Sequence, residues 1–201
     1  MSASTHLDRL IQALQIQPGV GPRAAARIAY YLLGRRREDA QALGQILIDA
    51  MDKIQLCSCC RNYCDDEVCA LCSDPKRRES GQLCVVESPA DVAAIEQSQN
   101  YKGRYFVLHG HLSPIDGIGA NELGLPLLDG ILATGNVTEL ILATNPTIEG
   151  DATAAYIAQL AKRYEVGTIT KIASGVPLGG ALDNIDQKTL LNAIANRRPW
   201  E

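Results

Sequence analysis

At 201 residues, 46% of them hydrophobic and 21% charged, the chain has enough apolar material for one or two cores of its own, which excludes a disordered or fibrous polypeptide. No segment approaches the roughly 20 consecutive apolar residues of a membrane span, and the N-terminal stretch, interrupted by Asp8 and Arg9, has no continuous apolar run, so neither insertion nor secretion is expected. The net charge of −4 argues against a uniformly basic nucleic-acid binder, but residues 1–37 carry six basic groups against one acid, a local +5, and the remainder carries −9.

Leu7, Leu10, Ile11 and Leu14 recur at i, i+3, i+4 and i+7 and predict an amphipathic helix that ends at Gln17-Pro18-Gly19. After Gly19-Val20-Gly21, Pro22 suits the first position of a second helix, where a missing N–H costs nothing; that helix runs to Leu33-Gly34. A third starts near Asp39, places Leu43, Ile46, Leu47, Ala50 and Ile54 on one face, and leads directly into a cysteine-rich segment, so everything before Cys57 reads as helical. The charged, proline-containing Ser73–Gln82 reads as a linker. Beyond it the short apolar runs Leu83–Val86, Tyr105–Leu108, Leu140–Ala143 and Thr168–Ile172 predict strands alternating with helices, which implies a parallel sheet covered on both faces. A Gly-rich stretch from Gly175 to Gly180 precedes a last helix near Gln187–Asn196. The expected organisation is α+β and multidomain: 1–56 helical, 57–72 cysteine module, 73–82 linker, 83–175 α/β domain, 176–201 C-terminal segment and helix.

Six of the seven cysteines fall between Cys57 and Cys72. Without an export signal, in a compartment that keeps thiols reduced, such clustering points to metal ligation rather than disulfides. Cys57-x2-Cys60 and Cys69-x2-Cys72 are two close pairs, the arrangement that closes a tetrahedron around one zinc ion; four protein ligands leave no open position, so the role is structural. Cys59 and Cys64 are then surplus, and either can in principle replace a neighbour. The ligand assignment rests on the symmetry of the two pairs.

The two helices joined by Pro18-Gly19-Val20-Gly21 resemble the helix-hairpin-helix DNA-binding unit, in which glycines allow backbone N–H groups to approach a phosphate. Arg23 and Arg27 stand one turn apart on the second helix and can reach the same stretch of backbone. The alternative is a Gly-Pro turn between packed helices with solvated arginines; the +5 imbalance favours DNA. Arg35-Arg36-Arg37 reads more simply as solvated surface.

Glu87 follows the first strand of the α/β domain, and Asn145, Thr147, Glu149 and Asp151 follow the third, at the ends where open sheets bind ligands. The layout resembles the Toprim domain of topoisomerases and primases, in which a Glu, an Asp-x-Asp pair and a Glu-Gly hold magnesium. Here that element reads Asn145-Pro146-Thr147-Ile148-Glu149-Gly150, with neutral side chains in place of both aspartates. Magnesium needs that carboxylate charge, so catalysis loses most of its support, and Glu87 remains as scaffold or weak cation ligand. A magnesium-dependent Toprim enzyme acting on DNA is the competing reading. His109 and His111 have no convergent ligand partner at a matching spacing and read as loop residues, and Asp116 as part of an Asp-Gly turn or a crevice residue.

Taken in order, Pro18-Gly19-Val20-Gly21-Pro22, the cysteine quartet with Cys72-Ser73-Asp74-Pro75, Leu83-Cys84-Val85-Val86-Glu87, Ser113-Pro114-Ile115-Asp116-Gly117-Ile118-Gly119 and Ala143-Thr144-Asn145-Pro146-Thr147-Ile148-Glu149-Gly150-Asp151 closely resemble the RecR family of bacterial recombination mediators, over nearly the whole chain. The resemblance implies a cytoplasmic, nucleoid-associated, non-enzymatic protein that forms a homotetrameric ring around DNA. It further implies action with RecO, and in some pathways RecF, to help RecA replace single-strand-binding protein at gaps. It carries DNA contact onto Arg23 and Arg27, with Gly19 and Gly21, and the Toprim-like loop, as a partner or weak cation site, onto Glu87, Asn145, Glu149 and Asp151. The chain departs from the family pattern at Cys64, where Thr is more usual, and over Gly179–Asp186, which lacks a common Glu.

Overall fold

The structure, a computed structural model, describes residues 5–173, 175, 183 and 185–195. The chain divides after Ile54 into a helical unit, Met1–Ile54, and a mixed unit, Gln55–Glu201.

The helical unit contains α1 (His6–Leu14), α2 (Pro22–Arg35) and α3 (Arg37–Lys53). Helix α1 begins with a capping box in which the Thr5 hydroxyl accepts from the Asp8 N–H and the Asp8 carboxylate accepts from the Thr5 N–H. Its apolar face packs on α2, where Ala25 and Ala29 are fully buried. The face of α3 behaves differently. Leu43, Ile46, Leu47 and Ile54 are 44–63% exposed, so the expected stripe exists but is not covered within the helical unit.

Helicity stops short of the expected boundary at Cys57. Gln55–Leu56 forms β1, which pairs antiparallel with β2 (Tyr63–Cys64) and so belongs to the cysteine module. The segment expected as a linker is also structured. Cys72 lies on α4 (Ala70–Ser73), and Asp74 caps α5 (Pro75–Glu79) by accepting from the Lys76 N–H. On α5 the buried Arg77 donates twice to Glu96, at 2.9 and 2.7 Å, and once to the Gly103 carbonyl at 3.0 Å. Charge and proline suggested a linker; the charge instead pins the segment to the next domain.

The α/β domain consists of β3 (Gln82–Val86), α6 (Pro89–Gln97), β4 (Arg104–Val107), α7 (Leu125–Ala133), β5 (Glu139–Ala143), α8 (Ile148–Ala161) and β6 (Thr168–Lys171). The strands form one parallel sheet in the order β4-β3-β5-β6, in register Leu83 beside Arg104 on one side and Leu140 on the other. Alternation along the strands explains the two covered faces. Leu83, Val85, Phe106, Leu140 and Leu142 face α7 and α8, while Cys84, Val86, Tyr105 and Val107 face α6. Leu71 of the cysteine module packs into the second cluster.

The last helix is α9 (Gln187–Ala195). The expectations for Gly175–Gly180 and for the departure over Gly179–Asp186 fall mostly outside the described residues.

Candidate nucleic-acid interface and metal centre

The turn between α1 and α2 needs glycine at one position for conformation and at another for access. Gly19 has φ +79°, a left-handed backbone that side chains rarely adopt. Gly21 has φ −81°, and a Cβ there would meet nothing within 4 Å, so the fold itself does not demand glycine. What Gly21 leaves is open approach to the start of α2, whose first N–H groups are capped by no side chain. Arg23 and Arg27 are both exposed on the first two turns of that helix. A positive helix end, uncapped amides and two guanidinium groups one turn apart suit a phosphate backbone and read no base. Arg36, by contrast, is ion-paired with Asp39.

The four cysteines predicted as ligands do come together. Cys57, Cys60, Cys69 and Cys72 are all buried, and their Sγ atoms lie within 4.8 Å of one another, with Cys60 and Cys69 at 3.5 Å. Tetrahedral zinc with Zn–S bonds of about 2.3 Å sets its sulfurs roughly 3.8 Å apart, so the quartet fits that ion. Local backbone directs the thiols: the Asn62 N–H donates to Cys60 Sγ at 3.5 Å and the Cys69 N–H to Cys57 Sγ at 3.3 Å. A hydrogen bond from Cys72, opposed by burial and assisted by the Asn62 N–H, draws the Cys60 thiol down to about 6. Burial, with the charge of Cys60, pushes Cys69 up to about 12; the bond to Cys60 and then burial push Cys72 upward. Cys60 ionises easily while Cys69 and Cys72 resist, so gathering thiolates in this space calls for a cation. Cys64 is held above its ordinary value by loss of solvent and by Cys57 and Cys60 beside it.

This module is bound to the sheet. The Val107 N–H donates to the Cys60 carbonyl at 2.8 Å, and the Arg61 side chain donates to the Glu122 carbonyl at 3.1 Å. His109, expected as a plain loop residue, donates through Nε2 to the Arg61 carbonyl at 2.6 Å and meets Tyr63 edge to face. No local signal reveals this contact, because its partners lie 48 residues apart.

At the sheet's carboxyl end the strand order reverses about β3: β4 pairs on one side of it and β5 on the other. That places Glu87, after β3, beside Asn145, after β5. The buried Glu87 carboxylate accepts from the Asn145 N–H at 2.9 Å and from its side-chain amide at 2.6 Å. His111 Nδ1 lies 3.7 Å away. Gly150 permits this closeness, since a Cβ there would stand 2.1 Å from the Asn145 carbonyl oxygen and 2.8 Å from Glu87 Oε1. The residues standing where the Toprim pattern has aspartates both do structural work: Asn145 holds Glu87, and the Thr147 hydroxyl caps α8 by accepting from the Gly150 N–H at 3.0 Å. The other two expected residues stand in the first turn of α8. Glu149 is exposed, and Asp151 pairs with Lys171 at 2.5 Å. Among the described residues, the cysteine quartet alone gathers three or more metal-ligating groups within 4.8 Å of one another. Asp116 accepts from the Ser113 hydroxyl at 2.6 Å, within a turn.

A DNA-binding hairpin, a four-thiol module and a Toprim sheet in one chain define the class of recombination and repair proteins that act on DNA. Three family models match this chain in the same order: the RecR helix-hairpin-helix over residues 7–51, the Toprim domain over 81–173, and the RecR C-terminal region over 175–198. The chain belongs to the RecR family of recombination mediators in DNA repair. Among the described residues no helix is long and apolar enough to cross a membrane.

Proposed function

We propose that the chain is a non-catalytic, zinc-containing DNA-binding mediator of the cytoplasm, which assembles as a homotetrameric ring. In this reading it acts with RecO, and in some pathways RecF, to load RecA at single-stranded gaps. The observation that carries the non-catalytic reading is the Glu87–Asn145 pair: the one buried carboxylate of the Toprim crevice is taken up by amide donors where phosphoryl transfer would need further carboxylates around a magnesium ion. DNA contact is assigned to Gly19, Gly21, Arg23 and Arg27, and zinc to Cys57, Cys60, Cys69 and Cys72. The uncovered face of α3 in the helical unit, with Leu43, Ile46 and Leu47 exposed, supports assembly with further copies. The Asn145–Asp151 loop is left as a partner surface. The domains are read as 1–54 helical, 55–80 metal module, 81–173 Toprim and 175–198 C-terminal.

The test is RecA filament formation on gapped DNA coated with single-strand-binding protein. Adding this protein with RecO should accelerate it, and Arg23→Ala/Arg27→Ala should abolish the gain. Magnesium-dependent, Glu87-dependent cleavage or relaxation of plasmid DNA by the pure protein would reverse the reading in favour of an enzyme.

A further inference from the structure

The zinc reading leaves two thiols of the metal module without a task. They differ in position. Cys59 is exposed, and Ser58 Oγ is 4.0 Å from its sulfur. Cys64 is partly buried and packs against the thiol quartet itself. The hairpin explains why: Gln55 pairs with Cys64, Leu56 with Tyr63, and the Cys57 N–H continues the ladder to the Asn62 carbonyl at 2.8 Å. Residues 55 and 57 on one strand and 62 and 64 on the other therefore project from the same face, and Cys57 and Cys64 are diagonal neighbours on it. The Cys64 thiol is held in reserve by one bond, donating to the Asp66 carbonyl at 2.9 Å.

We propose that Cys64 is a reserve ligand that replaces Cys57, making the module a five-thiol site for a thiophilic divalent cation. This rests on the zinc reading above. In the exchange, Cys64 gives up its bond to Asp66, releases its proton to water and supplies a thiolate at the position Cys57 leaves, so the four-thiolate charge is restored. Cys57 is the ligand it replaces because the two share one hairpin face, whereas Cys69 and Cys72 come from the following turn and helix. The need would arise if opening of the hairpin exposed Cys57, 1% exposed in the closed module, to hydrogen peroxide. Its thiolate would attack the O–O bond, the sulfur would be oxidised to sulfenic acid with hydroxide leaving, and the product would no longer offer a thiolate.

The experiment loads full-length proteins with Co2+, whose thiolate charge-transfer intensity and d–d bands separate four-sulfur from three-sulfur coordination. Wild type should give the four-thiolate spectrum, and Cys57→Ala should retain it. Cys57→Ala/Cys64→Ala should give a three-thiolate spectrum or lose the metal. A three-thiolate spectrum in Cys57→Ala, or one that further removal of Cys64 leaves unchanged, overturns the proposal. If Cys57→Ala is recovered only as aggregate, Cys64→Ala decides, since it keeps all four primary ligands. Its zinc should then be released faster than that of wild type under limiting hydrogen peroxide, and equal release overturns the proposal. A wild-type protein that binds no Co2+ contradicts the metal reading itself, which separates the two failures.

Discussion

The helical unit and the mixed unit bury their apolar residues in different ways. Among the described residues of the first, Ala25 and Ala29 alone are fully buried, while Ile46, Ile48 and Met51 are 58–74% exposed. The second encloses two apolar clusters around a parallel sheet and a buried thiol quartet. Two small methyl groups contribute little burial, so the helical unit is left with an apolar face still to cover, whereas the mixed unit carries its own core and a buried four-thiol cluster. The difference teaches that the hydrophobic stripe of a helix identifies an interface without saying whether its partner is in the same chain.

The largest effect is expected in the self-contained unit. Removing zinc by chelation, or replacing Cys72 with Ser, withdraws a ligand set whose binding supplies about 10–16 kcal/mol in small modules. Differential scanning calorimetry should show a Tm lower by about 10 °C or more, with aggregation. Unchanged Tm and zinc content in Cys72→Ser would break the contrast. Next comes the helical unit. Leu47→Glu places a charge on the uncovered face, so the mass measured by light scattering should fall below that of a tetramer while the main thermal transition stays in place. A mass unaffected by the substitution would mean that this face meets no second copy.

Glu87→Gln should be the mildest of the three. It replaces a buried, charge-assisted acceptor by a neutral one, which costs about 1–2 kcal/mol in denaturant unfolding. DNA affinity should not change, because the carboxylate serves the loop that holds Asn145. Equal stability with altered magnesium binding would return Glu87 to a cation role.

Much of this was legible wherever the information is local. Each Cys-x-x-Cys pair, the Pro22 helix start and the apolar strand runs depend on neighbours within a few residues, and each takes the expected form. The Toprim crevice was half legible: the missing aspartates could be read, but not that Asn145 turns its amide onto Glu87, 58 residues away. That contact depends on the parallel pairing of β3 with β5. The Ser73–Gln82 segment was misread because charge and proline describe both a solvated linker and a capped helix, and only the distant Glu96 and Gly103 decide for the helix. His109 escaped for the same reason, its partner being a backbone carbonyl, which no composition marks.

The central claim is that the chain grips DNA through the start of α2 and does no chemistry on it. The most direct test is the salt dependence of DNA binding, measured as log K against log of the salt concentration, for wild type and Arg23→Ala/Arg27→Ala. If each arginine neutralises one phosphate, the double variant should bind more weakly to all sequences alike, with a slope shallower by about two units. Equal affinity and an unchanged slope would contradict the account and place the DNA site elsewhere.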